Sequence, residues 1–290
     1  MTRNLPAARR MSPALGAELR GVDARTLDDA GFTVLLRLWQ EADGLLVLRD
    51  QPMSSAEQVV FTRRFGEIFG DPDTEPLVDT VDRYMHPEWP QIYRVSNKTG
   101  ADGEPLGRRR AGTYWHSDVS FLPRPAGASL LHAVEIPPFG GDTMFANTAA
   151  AYDDLSPAMR AFLADKRAVH DFAVASVGWT HESKAERDGG RTRNSHPVVR
   201  THPLTGRKSL YVNPGFTAAV EGLEPAESRA VLGFLYEHMT RPEVVYRHVW
   251  QIGDLVIWDN RMTMHYAIAD YPDGHGRYME RTTQIGERPV

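Results

Sequence analysis

The chain has 290 residues, 41% hydrophobic and 24% charged, the balance of an ordinary globular protein with enough apolar material for a sizeable core. A net charge of −5 and a pI near 6.1 argue against a protein that coats nucleic acid. The absence of cysteine excludes disulfides, thiolate zinc sites, iron–sulfur clusters and a cysteine nucleophile, so any metal must be held by nitrogen and oxygen.

The N-terminal "MTRNLPAARRMSPALGAEL" is basic but lacks the apolar run of a signal peptide. No stretch reaches the roughly 18 apolar residues of a membrane span, so a cytoplasmic location without membrane contact is expected. Residues 26–42 carry apolar side chains at helical spacing behind Thr26 as the cap. "GLLVLRD" (44–50) reads as a short buried strand, and "SSAEQVVFTRRFG" (54–66) as a helix opened by serine and closed by glycine. Residues 97–112, rich in Gly, Pro and charge, read as a mobile loop.

From there the texture turns to β. "TYWHSDVSF", "GASLLHAVEI" and "GDTMFAN" are β-branched or aromatic segments separated by Pro and Gly pairs. Residues 148–166 are helical, with a restart at Ser156-Pro157. Residues 176–196, polar over most of their length, form the second expected mobile loop. "VVRTHPLTGRKSLYVN" reads as two strands around a Pro-x-x-Gly turn, "ESRAVLGFLYEHMT" as amphipathic helix, and 245–271 as apolar strands around a Gly-Asp turn. Helices first and then many short strands predict one domain over 1–290: mostly β with flanking helices, a barrel or sandwich. No heptad or interface pattern shows itself, which leaves a homo-oligomer open.

His116-Ser117-Asp118 is the first chemical signal. With 11 histidines and 21 aspartates, about one His-x-Asp is expected by chance, so the pair needs support. On a strand, residues i and i+2 share a face, and both side chains can then reach one cation. His265, in "WDNRMTMHYAIADY", is the candidate third ligand. Two histidines and a carboxylate suit the facial triad of a non-haem Fe(II) oxygenase, and they equally suit a hydrolytic zinc site.

Arg277 and Arg281 lie four residues apart and would face the same way on a strand. A buried guanidinium calls for an anion, and the hydroxyl of Thr143, after a double-glycine turn, can share it. A metal beside a carboxylate clamp fits a keto-diacid cosubstrate better than a water nucleophile.

His116-x-Asp118, "GGDT" at 140–143, "WDNR" at 258–261, His265 and Arg281 together resemble the taurine and chlorophenoxyacetate dioxygenase family. "VLRDQ" and "RRFGEI" near the start, "HPVVRTHPLTGRKSLYVNPGF" in the middle and "IGERP" at the end extend the likeness over nearly the whole chain. The resemblance implies a double-stranded β-helix (jelly-roll) core. It implies Fe(II) on His116, Asp118 and His265, and 2-oxoglutarate bound through its far carboxylate by Arg281 and Thr143. With O₂, 2-oxoglutarate would be converted to succinate and CO₂ while a C–H bond of a small-molecule substrate is oxidised. A carboxylate at 118, where related halogenases have a small residue, implies hydroxylation or desaturation.

The same resemblance speaks to the substrate. Asp71 and Gly112 stand where the taurine enzyme has a histidine and an asparagine for the sulfonate, and Ser176 stands for a phenylalanine, while Phe216 is retained. Taurine is therefore not the expected substrate. Asn97, Gly112, Ser176 and Phe216 are the expected substrate contacts, and the expected substrate is a small anionic or amino-acid-like molecule. Arg108, Arg109 and Arg110 in the 97–112 loop would suit an anion, with a simply solvated arginine run as the alternative. Arg277 is given a supporting role. Trp258, Asp259 and Asn260 are expected to scaffold His265, Met262 and Met264 to pack the barrel, and His170, His196, His202, His248 and His275 to be structural or surface groups. A zinc hydrolase and a non-catalytic jelly-roll binding protein stand as the alternatives.

Overall fold

The computed structural model describes residues 5–77, 84–109, 111–176, 193–272 and 274–290. In chain order its elements are β1 (Arg9–Arg10), β2 (Ala17–Leu19), α1 (Asp29–Glu41), β3 (Leu45–Leu48), α2 (Ser55–Arg63), β4 (Tyr93–Ser96), β5 (Ala126–Glu135) and β6 (Thr143–Asn147). There follow α3 (Thr148–Asp153), α4 (Pro157–Leu163), β7 (Arg167–Asp171), α5 (Phe172–Ser176), β8 (Arg193–Pro197), β9 (Val199–Thr201), β10 (Lys208–Leu210) and β11 (Thr217–Val220). The chain closes with α6 (Pro225–Met239), β12 (Val245–His248), β13 (Leu255–Asp259), β14 (Thr263–Ala267) and β15 (Tyr278–Ile285).

Period-two alternation sets the large sheet, whose order is β1-β2-β3-β13-β5-β15-β4. In β13, Val256 and Trp258 face one layer while Leu255 and Ile257 face the other. β3 divides the same way, with Leu45 and Val47 inward and Leu46 and Leu48 outward. The outward set packs on α1 and α2, through Phe32, Leu35, Trp39 and Phe61. Phe32, Leu35 and Trp39 make one stripe at helical spacing.

The inward set closes against the small sheet β12-β6-β14 through Phe145 and Tyr246, so strands face each other across a jelly-roll interior, while Ala168 and Val220 of the sheet β11-β7-β8 pack in the minor layer. The minor layer is covered outside by α3 and α6, through Ala151, Leu232, Leu235 and Met239, with Met264 among them. Met262 and Met264 are both buried packing residues, as expected. No helix among the described residues is long and apolar enough to cross a membrane.

Helix starts follow the caps read from the sequence, with one displacement. Ser54 and Glu57 form a reciprocal capping box at α2, and Ser156 caps α4 with Pro157 in its first turn. At α1 the cap is Asp28, whose carboxylate accepts from Gly31 N at 2.8 Å. Thr26 instead closes a short 3₁₀ turn, and its hydroxyl turns back to Asp23 O. Asp28 wins because it sits immediately before the apolar stripe.

Two expectations are corrected. Residues 113–121 are not a strand. They form turns, with His116 alone pairing its backbone to His265 in both directions (3.0 and 2.8 Å). The expected loop 176–196 is shorter: α5 occupies its start and β8 its end, paired antiparallel to β7. Its middle, 177–192, lies outside the described residues. Loop 97–112 is folded back on itself, with Leu106 N donating to Lys98 O (2.9 Å) and Gly100 N to Glu104 O (2.7 Å).

Candidate active site

Three polar side chains meet inside the jelly roll. His265 comes from β14, and His116 and Asp118 from the turn that follows Tyr114. One ligand atom from each lies within 4.8 Å of the others, and all three residues are buried. Nε2 of His116 and Nε2 of His265 stand 3.7 and 3.9 Å from Asp118 Oδ1. The turn that brings Asp118 round has a cost. Val119 follows it at φ 44°, a left-handed conformation that a β-branched residue avoids by about 1–3 kcal/mol.

The protonation states suit a cation. Burial lowers the basicity of His116, against the pull of Asp118, and burial with the neighbouring His116 lowers His265 well below the usual imidazole value. Burial works to raise the Asp118 carboxyl, yet the Arg281 guanidinium and the two imidazoles outweigh it and hold it at about 2. Two neutral imidazoles beside one carboxylate are the donor set a divalent ion requires. His116 Nδ1 lies 2.8 Å from Tyr114 O, a contact that demands a proton on Nδ1 and leaves the Nε2 lone pair facing the cluster.

Asp118 is held from three sides. Ser129 Oγ donates to its Oδ2 (2.7 Å), and its own N–H donates to Asn260 Oδ1 (2.9 Å). Asn260 also accepts from Trp258 Nε1 (3.1 Å) and donates to Ser129 (2.9 Å). Asn260 thus braces Asp118, while Trp258, its ring 4.8 Å from that of His265, is the one that lies against His265 as expected. Asp259 is locked away from the cluster by Arg261 (2.6 Å) and His202 (3.0 Å). Ser129 was missed in sequence, although a serine inside the apolar run of β5 was its available signal.

Two small chambers open on the cluster. The inner one is bounded by Leu131, Thr143, Phe145, Trp258 and Arg277. The outer one is bounded by Tyr93, Tyr114, Phe121, Phe172 and Phe216, with Arg108. Ala111, Gly112, His116 and Arg281 belong to both.

Arg277, Met279 and Arg281 all turn inward, as their spacing implies, but their surroundings differ. Arg281 is ion-paired with Asp118 at 2.6 Å and lies over the Tyr93 ring at 4.9 Å. Arg277 is buried, its Nη2 reaches only Gly141 O (3.3 Å), its Nε has no partner, and no carboxylate pairs with it among the described residues. Burial lowers its pKa. Thr143 Oγ1 accepts from Trp250 Nε1 at 3.1 Å, which leaves its hydroxyl proton to point elsewhere.

The expected substrate contacts divide. Gly112 lies against the cluster at φ 70°, and an added Cβ would come within 2.6 Å of His116 Cε1. The Phe216 ring lies edge-on to that of His116 at 6.0 Å. Ser176 ends α5, whose Phe172 is the residue that reaches the chamber. Asn97 lines neither chamber. Its side chain accepts from Arg277 N and donates to His275 O, both at 2.8 Å. Asp71 pairs with Arg63 (2.6 Å) and Gln91 (3.0 Å) and also lines neither. Arg110 lies outside the described residues. His170, His196, His202 and His248 are buried structural groups and His275 is exposed.

Comparison with known proteins agrees with this geometry. Residues 7–283 match the family described as taurine catabolism dioxygenase TauD, TfdA family. The chain is 37% identical over 287 residues to the alpha-ketoglutarate-dependent 2,4-dichlorophenoxyacetate dioxygenase of Cupriavidus pinatubonensis, covering 97% of this chain and 98% of that one. It is 34% identical over 287 residues to the alpha-ketoglutarate-dependent sulfate ester dioxygenase of Pseudomonas putida, covering 95% and 88%. Among solved structures, AAD-2 in complex with Mn(II) and N-oxalylglycine superposes with a TM-score of 0.80 at 32% identity, covering 98% of each chain. The zinc-hydrolase and non-catalytic alternatives find no support in these relatives. The chain belongs to the TauD, TfdA family and is an Fe(II)- and 2-oxoglutarate-dependent dioxygenase that uses O₂.

Proposed function

We propose that this enzyme hydroxylates, or desaturates, an aliphatic C–H of a small organic anion that carries an apolar, ring-bearing body, and that taurine is not its substrate. The observation that carries this reading is the outer chamber, where aromatic rings surround a floor of His116 and Asp118 and guanidinium groups supply the charge. Among the described residues lining it, Asp118 is the one acid, and it is engaged by Arg281 and the ligand cluster. A zwitterion's ammonium would find no free carboxylate there, which favours an anion over an amino-acid-like molecule.

His116, Asp118 and His265 hold the iron. The inner chamber takes 2-oxoglutarate. Arg277 and Thr143 clamp its far carboxylate, a reading that moves the clamp from Arg281 to the arginine that lacks a counter-ion. Arg281, at the seam, steadies the Asp118 carboxylate and faces the substrate side. When bound, iron supplies the oxidative decarboxylation of 2-oxoglutarate to succinate and CO₂, coupled to oxidation of the substrate C–H. The chain's own share is to orient the keto-acid inside, to hold the substrate C–H at the His116–Asp118 face, and to keep water out with Phe121, Phe172 and Phe216.

The test is succinate release from 2-oxoglutarate with Fe(II) and O₂, read against a panel of aryl and alkyl carboxylates, sulfonates and sulfate esters, with taurine and neutral analogues included. Stimulation by ring-bearing anions and none by taurine is expected. Stimulation by taurine or by neutral molecules alone would overturn the substrate reading.

A further inference from the structure

The outer chamber contains a guanidinium that the family motifs did not single out. Arg108 belongs to loop 97–112, yet the loop is fastened at this point. Arg108 N donates to Arg94 O of β4 at 3.1 Å. Gly107, just before it, lies so close to the strand that an added Cβ would stand 2.5 Å from Arg94 O and 2.9 Å from Ser96 N. Beyond Arg108, Tyr271 donates to Arg109 O (2.9 Å) and Ala267 N to Gly112 O (2.8 Å), so the following turn is fastened as well. The backbone at Arg108 is thus held in place beside the chamber.

Arg108 is half-buried and lines the outer chamber together with Tyr93, Tyr114, Phe121 and Phe216. It does not line the inner chamber. Arg281 is ion-paired with Asp118 at 2.6 Å, next to the ligand cluster, and Arg108 enters the same chamber from loop 97–112. A substrate anion set against Arg108 would leave its ring among the aromatic walls and its C–H over the cluster.

We infer that Arg108 is a specificity-determining residue that binds the anionic head of the substrate and selects ring-bearing carboxylates over their neutral counterparts. The inference rests on the outer chamber being the substrate site.

Phenoxyacetate, a ring with a carboxylate and one aliphatic methylene, is the probe. Succinate release is followed with the full-length Fe(II) enzyme while phenoxyacetate and 2-oxoglutarate are varied in turn. Arg108→Ala should raise KM for phenoxyacetate about tenfold to a hundredfold, as loss of a charge-assisted hydrogen bond does. KM for 2-oxoglutarate should stay within about twofold of wild type. The effect should follow charge, with Arg108→Lys milder than Arg108→Ala and Arg108→Glu more severe. Arg109→Ala and Arg109→Glu, at the exposed neighbour, should behave as wild type, which removes net loop charge as the cause. An unchanged KM for phenoxyacetate in Arg108→Ala, or an equal rise for both compounds, would overturn the role of Arg108 alone. A wild-type enzyme that no ring-bearing anion stimulates would overturn the reading of the chamber itself.

Discussion

The inner and outer chambers share Ala111, Gly112, His116 and Arg281 but differ in most of their remaining walls. The inner one is bounded by paired strands of both sheets, with Leu131 on β5, Thr143 and Phe145 on β6, Trp258 on β13 and His265 on β14. The outer one draws on β4, loop 97–112, the 112–121 turn, α5 and Phe216. Strand residues are fixed by their ladders, whereas loop and short-helix residues are free to differ between relatives without disturbing the sheet. The contrast teaches where a shared cosubstrate and a particular substrate should each be read.

Substitutions can break that division. The largest effect should come from the cluster that both chambers depend on. Asp118→Ala should reduce Fe(II)-dependent succinate release more than about a hundredfold at any concentration of either compound, since a metal ligand matters more than its supporting groups. Retention of turnover would remove Asp118 from the ligand set.

Next come the two arginines. Arg277→Ala should raise KM for 2-oxoglutarate about tenfold to a hundredfold with a smaller change for substrate. Arg281→Ala should show the reverse emphasis. If Arg281→Ala instead carries the 2-oxoglutarate effect, the clamp belongs to Arg281 and the chambers are not divided as proposed.

A smaller effect should follow truncation of the outer wall. Phe216→Ala removes a ring that packs edge-on against Phe121 and His116. It should raise substrate KM by roughly tenfold, the worth of an apolar contact of about 1–2 kcal/mol, with 2-oxoglutarate KM unchanged.

The smallest concerns the support behind that wall. His170 hydrogen-bonds Ser120 (3.0 Å) and stacks near Tyr211, and His196 reaches Leu122 O (3.0 Å). Burial pushes His170 down to about 3 and His196 down to about 4. The unfolded chain takes up protons near pH 6.5 that the native state refuses until those values. Stability is therefore intact above pH 6.5 and falls as pH drops from 6.5 toward 4. At pH 6 the loss should be under about 1 kcal/mol for each histidine, measurable by denaturant titration, and His170→Gln should reduce the slope.

Much of this molecule is legible from local chemistry. Ser54 and Ser156 cap helices because their side chains satisfy the first free N–H groups, a local event visible in a few residues. The inward and outward faces of β3 and β13 follow from alternation alone. The reading of 113–121 failed for a related reason. Its Thr, Tyr and Trp carry the texture of a strand, but Tyr114 and Trp115 pack against Phe216 and Tyr266 while the backbone turns. Asn97 misled similarly, because its amide is consumed by the backbone of 275–277, a contact 178 to 180 residues away.

By itself the sequence determined the reaction class and the layered β architecture and named the His116, Asp118 and His265 candidates, since each rests on residue type, on spacing or on several motifs in order. Only the tertiary structure separates the surroundings of the two arginines. Spacing of four places Arg277 and Arg281 on the same face and cannot separate them. They differ in what the opposite layer offers, a carboxylate at 2.6 Å for one and a backbone carbonyl at 3.3 Å for the other. The placement of Arg108 is likewise tertiary, because it depends on how closely Gly107 can approach β4. Charge compensation in a buried site is a property of neighbours in space, and those neighbours lie more than a hundred residues apart.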